Sequence, residues 1–199
     1  MDILLQVMSL KGQATHEALA AAVEVDPTDA IAEFTSAGLV DTAKLGYQLT
    51  KLGKSRVDEL YAHEREQASP VIEDVYESFM AIDEDVKQIV ADWQMRRVGG
   101  QLTANDHSDH RHDDRVIARL HRTDAKASTA IAPLTTALSR FDMYPRRLRR
   151  ALTLIDEGDH TMLAAPLKDS YHTVWFELHE ELIILSGRNR TDEASGGAT

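Results

Sequence analysis

Seven apolar residues, Ile72, Val75, Phe79, Ile82, Val86, Ile89 and Trp93, follow one another at alternating steps of three and four. A period near 3.5 puts all of them on one stripe of a helix, and so long a stripe must be covered along its whole length by other helices. Ile117, Leu120, Ala127, Ile131, Leu134, Leu138 and Phe141 give a second long pattern, in which Pro133 is expected to kink or end the helix. A third helix is expected from Pro145, carrying Leu148, Ala151, Leu152 and Ile155 up to "EGDH". The last is expected from near Asp169, carries Tyr171, Val174, Trp175, Leu178, Leu182 and Leu185, and stops at Gly187. Short connections make an antiparallel bundle the economical arrangement for residues 67–190. Residues 191–199, small and polar, read as a fraying tail.

Residues 1–66 follow different rules. A first helix through Ile3, Leu4, Val7, Met8 and Leu10 stops at Gly12, and Thr15 caps an alanine-rich second one. Pro27 opens a third helix, with Ile31 and Phe34 inward and Gly38 closing it. Leu39, Val40, Tyr47 and Leu49 then flank a short polar turn containing Lys44 and Gly46, which suits a small β-hairpin, and Thr50 caps a returning helix. Three helices, a hairpin and a returning helix make a winged helix-turn-helix. The segments "AGLV" and "GYQLTKLGKSRVDEL" resemble the hairpin and following helix of the MarR, PadR and related bacterial regulator families, over about the first 62 residues. The expected fold is therefore mainly α, a winged helix-turn-helix followed by an antiparallel helical bundle.

That resemblance implies a non-catalytic, transcription-regulator-like protein, a homodimer whose bundle dimerises or senses an effector. DNA would be held by Lys44 and Gln48 on the wing and by Lys51, Lys54 and Arg56 beyond it. The third helix, "PTDAIAEFTSAG", opposes this: it has no basic residue, and it carries Asp29 and Glu33 where DNA readers want donors. Residues 1–60 hold five basic and nine acidic side chains, a balance that suits the alternative of docking a basic protein partner on the acidic third helix.

"VKQIVADWQMR", "NDHSD" and "DSYHTVWFELHEELI" together resemble an accessory region of actinobacterial proteins related to pyruvate, phosphate dikinase and other phosphoenolpyruvate-utilising enzymes. Such enzymes need an ATP-grasp domain and a swivelling phosphohistidine domain, and neither has a counterpart in 199 residues. The resemblance thus implies an accessory or docking subunit rather than the enzyme.

Composition narrows the chemistry. A net charge of −11 and a pI near 5.2 repel polyanions at long range, so contact with nucleic acid or an anionic membrane requires a local basic patch. No cysteine is present, which removes disulfides, thiolate zinc sites and cysteine nucleophiles. No apolar run approaches the ~18 residues of a membrane span, and a cytoplasmic protein without membrane contact is expected. A glycine-rich phosphate loop, a nucleophile-elbow serine and an HExxH pair are all missing, so neither an enzyme nor a cofactor is expected.

Three constellations remain as candidate sites. Arg115, Arg119 and Arg122 share a helix face, and Arg146 and Arg149 lie in "PRRLRR"; these either grip an anion or pair with the abundant carboxylates. Asp124 falls in the apolar register of its helix, while His172 and His179 share a stripe with Phe176 and Ile183. Asp124, His172, Phe176 and His179 are the candidate effector site, or Asp124 turns toward an arginine and the histidines are structural. The stretch "NDHSDHRHDD" (105–114) has ligand chemistry, which keeps a metal-binding helical protein as a further alternative. If a helix begins near Asp106, however, His112 points away from His107 and His110, and the aspartates serve as first-turn caps. No metal site is assigned.

Overall fold

The computed structural model describes residues 2–188, and the expected tail at 191–199 lies outside them. The chain is mainly helical with two small antiparallel sheets. In order, the elements are α1 (Ile3–Lys11), β1 (Gln13–Ala14), α2 (His16–Val23), α3 (Thr28–Ser36), β2 (Val40–Ala43), β3 (Gly46–Leu49) and α4 (Lys51–Gln94). They continue as β4 (Met95–Val98), β5 (Gln101–Ala104), α5 (His110–Ala137), α6 (Met143–Asp156) and α7 (Tyr171–Leu185), with 3-10 turns at Ser139–Asp142 and His160–Leu163.

The local signals act where the sequence puts them. Thr15 Oγ1 accepts from the Ala18 amide at 3.1 Å, and Thr50 Oγ1 accepts from the Gly53 amide at 3.1 Å while donating to the Gly38 carbonyl at 2.7 Å. Thr50 thereby fixes the start of α4 against the end of α3. Gly53 is needed there, because a Cβ at this position would come 2.1 Å from the Leu39 carbonyl oxygen. The hairpin β2–β3 pairs Val40 with Leu49 and Ala43 with Gly46, turning at Lys44 and Leu45. The two residues of β1 add a third strand, in the order β1-β3-β2, that no sequence signal announced.

The 44-residue α4 is on the order of 66 Å long at 1.5 Å per residue and carries the seam as expected. Ile72, Val75, Phe79, Val86, Ile89 and Trp93 are buried and Ile82 partly so, packed against α5 and α7. The boundary expected near residue 66 falls inside this helix. Ala68 leaves helical geometry (φ −132°, ψ 16°) two residues before Pro70, whose ring cannot accept the preceding helical turn unchanged. A single apolar core runs from α1 and α3 through α4 to α7.

Three expected boundaries move. The segment after α4 is the hairpin β4–β5, turned by Gly99 and Gly100 with φ of 58° and 87°, as a two-residue turn of this hand requires. Because of that hairpin, α5 begins at His110 and not near Asp106. It then continues through Pro133 to Ala137; Pro133 and Thr129, whose carbonyl loses its helical donor, are both exposed, so the missing bond falls on the solvent side of the helix. Finally, α6 starts at Met143, two residues before Pro145, which sits in the first turn where no intrahelical donor is lost. Among the described residues no helix is long and apolar enough to cross a membrane.

Candidate functional site

The residues proposed to meet DNA divide into free and engaged. Lys44, Lys51 and Lys54 are exposed and have no carboxylate partner among the described residues. Arg56 is held by Asp2 and Glu59, both at 3.2 Å, and the Glu59 bond leads in raising its pKa. Gln48 accepts from Gln13 across β1–β3 at 3.3 Å. On α3 the exposed positions are Thr28, Asp29, Ala32, Glu33, Thr35 and Ser36, so its outward face is acidic and hydroxylic.

Of the four expected effector residues, Asp124 and His179 have separate partners. Asp124, partly buried, accepts from the Tyr171 hydroxyl at 3.1 Å and not from an arginine; burial raises its pKa against the lowering effect of that bond. His172 is partly buried, and burial lowers its pKa. His179 is buried with its ring 5.4 Å from that of Phe79 and its Nδ1 3.6 Å from Asp83 Oδ1, the atom that also accepts from Trp175 Nε1 at 2.8 Å. Phe176 is 47% exposed. Asp124 thus belongs to a tyrosine contact and His179 to a buried Asp83–Trp175–Phe79 cluster, and these contacts do not gather the four around one ligand.

The arginines also separate. Arg146 bonds Glu24 at 2.6 Å and Asp142, and Arg149 is exposed within electrostatic reach of Asp124. Arg147, between them, is 1% exposed and bridges Asp169 and Glu177; Lys11 of α1 reaches the same Glu177. Arg147 holds the Asp169 carboxyl below its usual range in spite of burial. One turn further along α7, the fully buried Glu181 accepts from the Tyr61 hydroxyl at 2.7 Å, from Arg140 at 2.6 Å and from the Tyr144 hydroxyl. Arg140 also grips Glu64, which accepts from Gln6 at 3.1 Å. Burial, followed by the Glu181 charge, pushes both tyrosine pKa values well up. These pairs tie α1 and the first half of α4 to α6 and α7. Their trace in the sequence is Glu177 and Glu181 at i, i+4 among the apolar positions of α7.

The histidine stretch is built differently from a regular helix start. Asp109 is the cap, accepting from the His112 amide at 3.2 Å, and Asp106 holds Arg96 at 2.7 Å. Asp113 points inward, 3% exposed, where it accepts from Asn105 Nδ2 at 2.8 Å and pairs with His107 Nδ1 at 3.0 Å. His107 precedes the helix with a left-handed φ of 58°, and its ring lies 4.4 Å from that of Trp93. Among the described residues no three His, Asp or Glu side chains are grouped to hold a metal.

Beside this stretch lies a groove of about 700 Å³, walled by the end of α4, the β4–β5 hairpin and the first turns of α5. Arg115 and Arg119 of the expected set line it, joined by Arg96 and Arg97 from β4, which sequence reasoning did not select. Arg122 opens onto a smaller neighbouring hollow, shared with Asp85, Thr123 and Lys126. Arg119 is paired with Asp92, whose carbonyl accepts from His112 Nε2 at 2.7 Å. Among the described residues the Arg97 and Arg115 guanidinium groups meet only backbone carbonyls, of Gly100 and Arg111. No family model, no curated protein and no solved structure matches the chain.

Proposed function

We propose that residues 1–66 form a winged helix and that the protein is a non-catalytic, transcription-regulator-like factor whose helical region dimerises or senses a small molecule. The observation that carries this reading is the chain order helix, strand, helix, helix, strand, strand, with the sheet ordered β1-β3-β2 and Lys44 free at the hairpin tip. Lys51 and Lys54 extend the unpaired positive charge onto the start of α4. Contact would be mainly to phosphates, since the exposed face of α3 supplies carboxylates instead of cationic base readers.

Three phosphate contacts give a salt slope near −2.7, which corresponds to about 40-fold weaker binding per protomer between 50 and 200 mM salt. Fluorescence anisotropy with a labelled duplex from its own upstream region measures this. Replacing Lys44, Lys51 and Lys54 with glutamate is expected to abolish binding and the slope together. No shift at low salt for any genomic fragment sinks the reading.

The acidic face of α3 favours a second reading, a docking module for a basic protein, including an accessory subunit of a phosphoenolpyruvate-utilising enzyme. A pull-down that recovers such a partner and loses it on Glu33→Lys supports that reading over DNA binding.

A further inference from the structure

We infer that the groove between the end of α4, the β4–β5 hairpin and the start of α5 is a binding site for a small organic phosphate, with Arg97 and Arg115 as its anion-holding residues. The site stands whether or not the N-terminal region binds DNA.

Charge comes first. Four arginines line the groove with two carboxylates, Asp92 and Asp109, and Asp106 pairs with Arg96 from outside the lining, a local excess of one positive charge in a chain whose net charge is −11. Two of the arginines are positioned by acids, Arg119 by Asp92 and Arg96 by Asp106. Arg96 Nε is buried without a hydrogen-bond partner, and having no exposed surface it is a cost of the fold and not a donor open to the groove. The other two, Arg97 on the hairpin and Arg115 on α5, spend one donor each on a backbone carbonyl and leave the remaining guanidinium donors unclaimed by any acid. Other described arginines, such as Arg122 and Arg150, also have no carboxylate partner, but Arg97 and Arg115 are the two that share this concavity.

The ligand class follows from this geometry. A monocarboxylate needs a single arginine fork, whereas a phosphate monoester carries close to two negative charges and three strong acceptor oxygens, which matches two free forks on two walls. The start of α5 adjoins the same space, but its N-terminal end is already capped there by the Asp109 carboxylate, which accepts from the His112 amide. Besides polar Gln88, the rest of the lining is apolar: Ala91 from the end of α4, Met95 from the start of β4, Val116 from α5, and Leu102, which the hairpin holds 59% exposed. A leucine at a groove wall suits the carbon skeleton of an organic phosphate better than inorganic phosphate alone. The volume lies within the roughly 300–1,000 Å³ of small-molecule sites.

Isothermal titration calorimetry on the whole chain tests this with phenyl phosphate, inorganic phosphate and benzoate as probes. Phenyl phosphate is expected to bind most tightly of the three. Arg97→Ala and Arg115→Ala should each weaken it about tenfold, the loss of one charge-assisted contact. Leu102→Ser should reduce the preference for phenyl over inorganic phosphate. Arg150→Ala, an exposed arginine on α6, is the control and should change nothing. Arg97 and Arg115 are exposed and hold no tertiary ion pair, so their variants should melt with the parent. Absence of phenyl phosphate binding at 10 mM, about the weak limit of a useful site, overturns the proposal. So does binding that is indifferent to both arginines, and so does a site at which only an oligonucleotide, not phenyl phosphate, responds to them.

Discussion

Replacing Glu181 with alanine should be among the most damaging single changes in this chain. Its carboxylate is fully buried and collects three donors from three elements, the Tyr61 hydroxyl of α4, the Tyr144 hydroxyl of α6 and the Arg140 guanidinium of the 3-10 turn before α6. Removal strands two buried hydroxyls at about 1–3 kcal/mol each. Arg140 suffers less, because its two contacts to Glu64 remain. Relief of a buried carboxylate offsets part of the loss, and a net cost of about 3–5 kcal/mol follows for breaking such a network by one member. Set against a typical stability of roughly 5–15 kcal/mol, this is about a fifth or more of the total. Urea unfolding followed by circular dichroism should show the midpoint falling by about 1.5–2.5 M at an m-value near 2 kcal/mol/M. Tyr144→Phe supplies the internal control: it should cost about 1 kcal/mol in the parent and restore about 1–3 kcal/mol in the Glu181→Ala background, where it removes a stranded hydroxyl. A Glu181→Ala cost below about 1 kcal/mol, or a Tyr144→Phe cost equal in both backgrounds, refutes the coupled network.

Asp124 carries a pH signature. Burial raises its folded pKa above the ordinary 3.8, so the unfolded chain gives up this proton first as pH rises through that window, and the group's contribution to stability declines. Asp124→Asn keeps an acceptor for Tyr171, and in thermal melts from pH 4 to 7 it should flatten this decline and leave stability at pH 7 equal or higher by under about 1 kcal/mol; a steeper decline in the variant counts against burial as the cause. At Gly53 an added Cβ would meet the Leu39 carbonyl oxygen at 2.1 Å, backbone that cannot step aside. Gly53→Ala should therefore cost about 2 kcal/mol or more, although alanine is the better helix former by about 1 kcal/mol; a stabilised variant in the same urea assay would show that the hairpin and α4 are not in contact as described.

Much of the secondary structure was legible because its causes are local. The three- and four-residue steps from Ile72 to Trp93 identify one face of a long helix, Thr15 and Thr50 cap the helices they precede, and Val40 to Leu49 turn as a hairpin. The β4–β5 hairpin was missed: "MRRVGGQLTA" has a double-glycine turn, but β5 is wholly exposed, so no buried face imposed a period of two on it. That miss displaced the start of α5 and with it the reading of the histidines. Buried Asp113 holds Asn105 in the interior and the exposed His107 ring beside it instead of serving as a first-turn cap.

The candidate sites divide along the same line. Asp124, His172 and His179 share an apolar register, and register alone suggested a common site; the partners they have, Tyr171 for Asp124 and Asp83 for His179, come from packing. Arg115 and Arg119 were identified by helical spacing, whereas Arg96 and Arg97 joined them only because the hairpin folds back beside α5. By itself the sequence determined what is set within about one helical turn: which segments are helical, where they are capped and which stripe is apolar. Tertiary structure alone decided which charges became interior and which stayed unpaired. Tyr61 and Glu181 stand 120 residues apart, and no local rule couples them until packing removes the water between them.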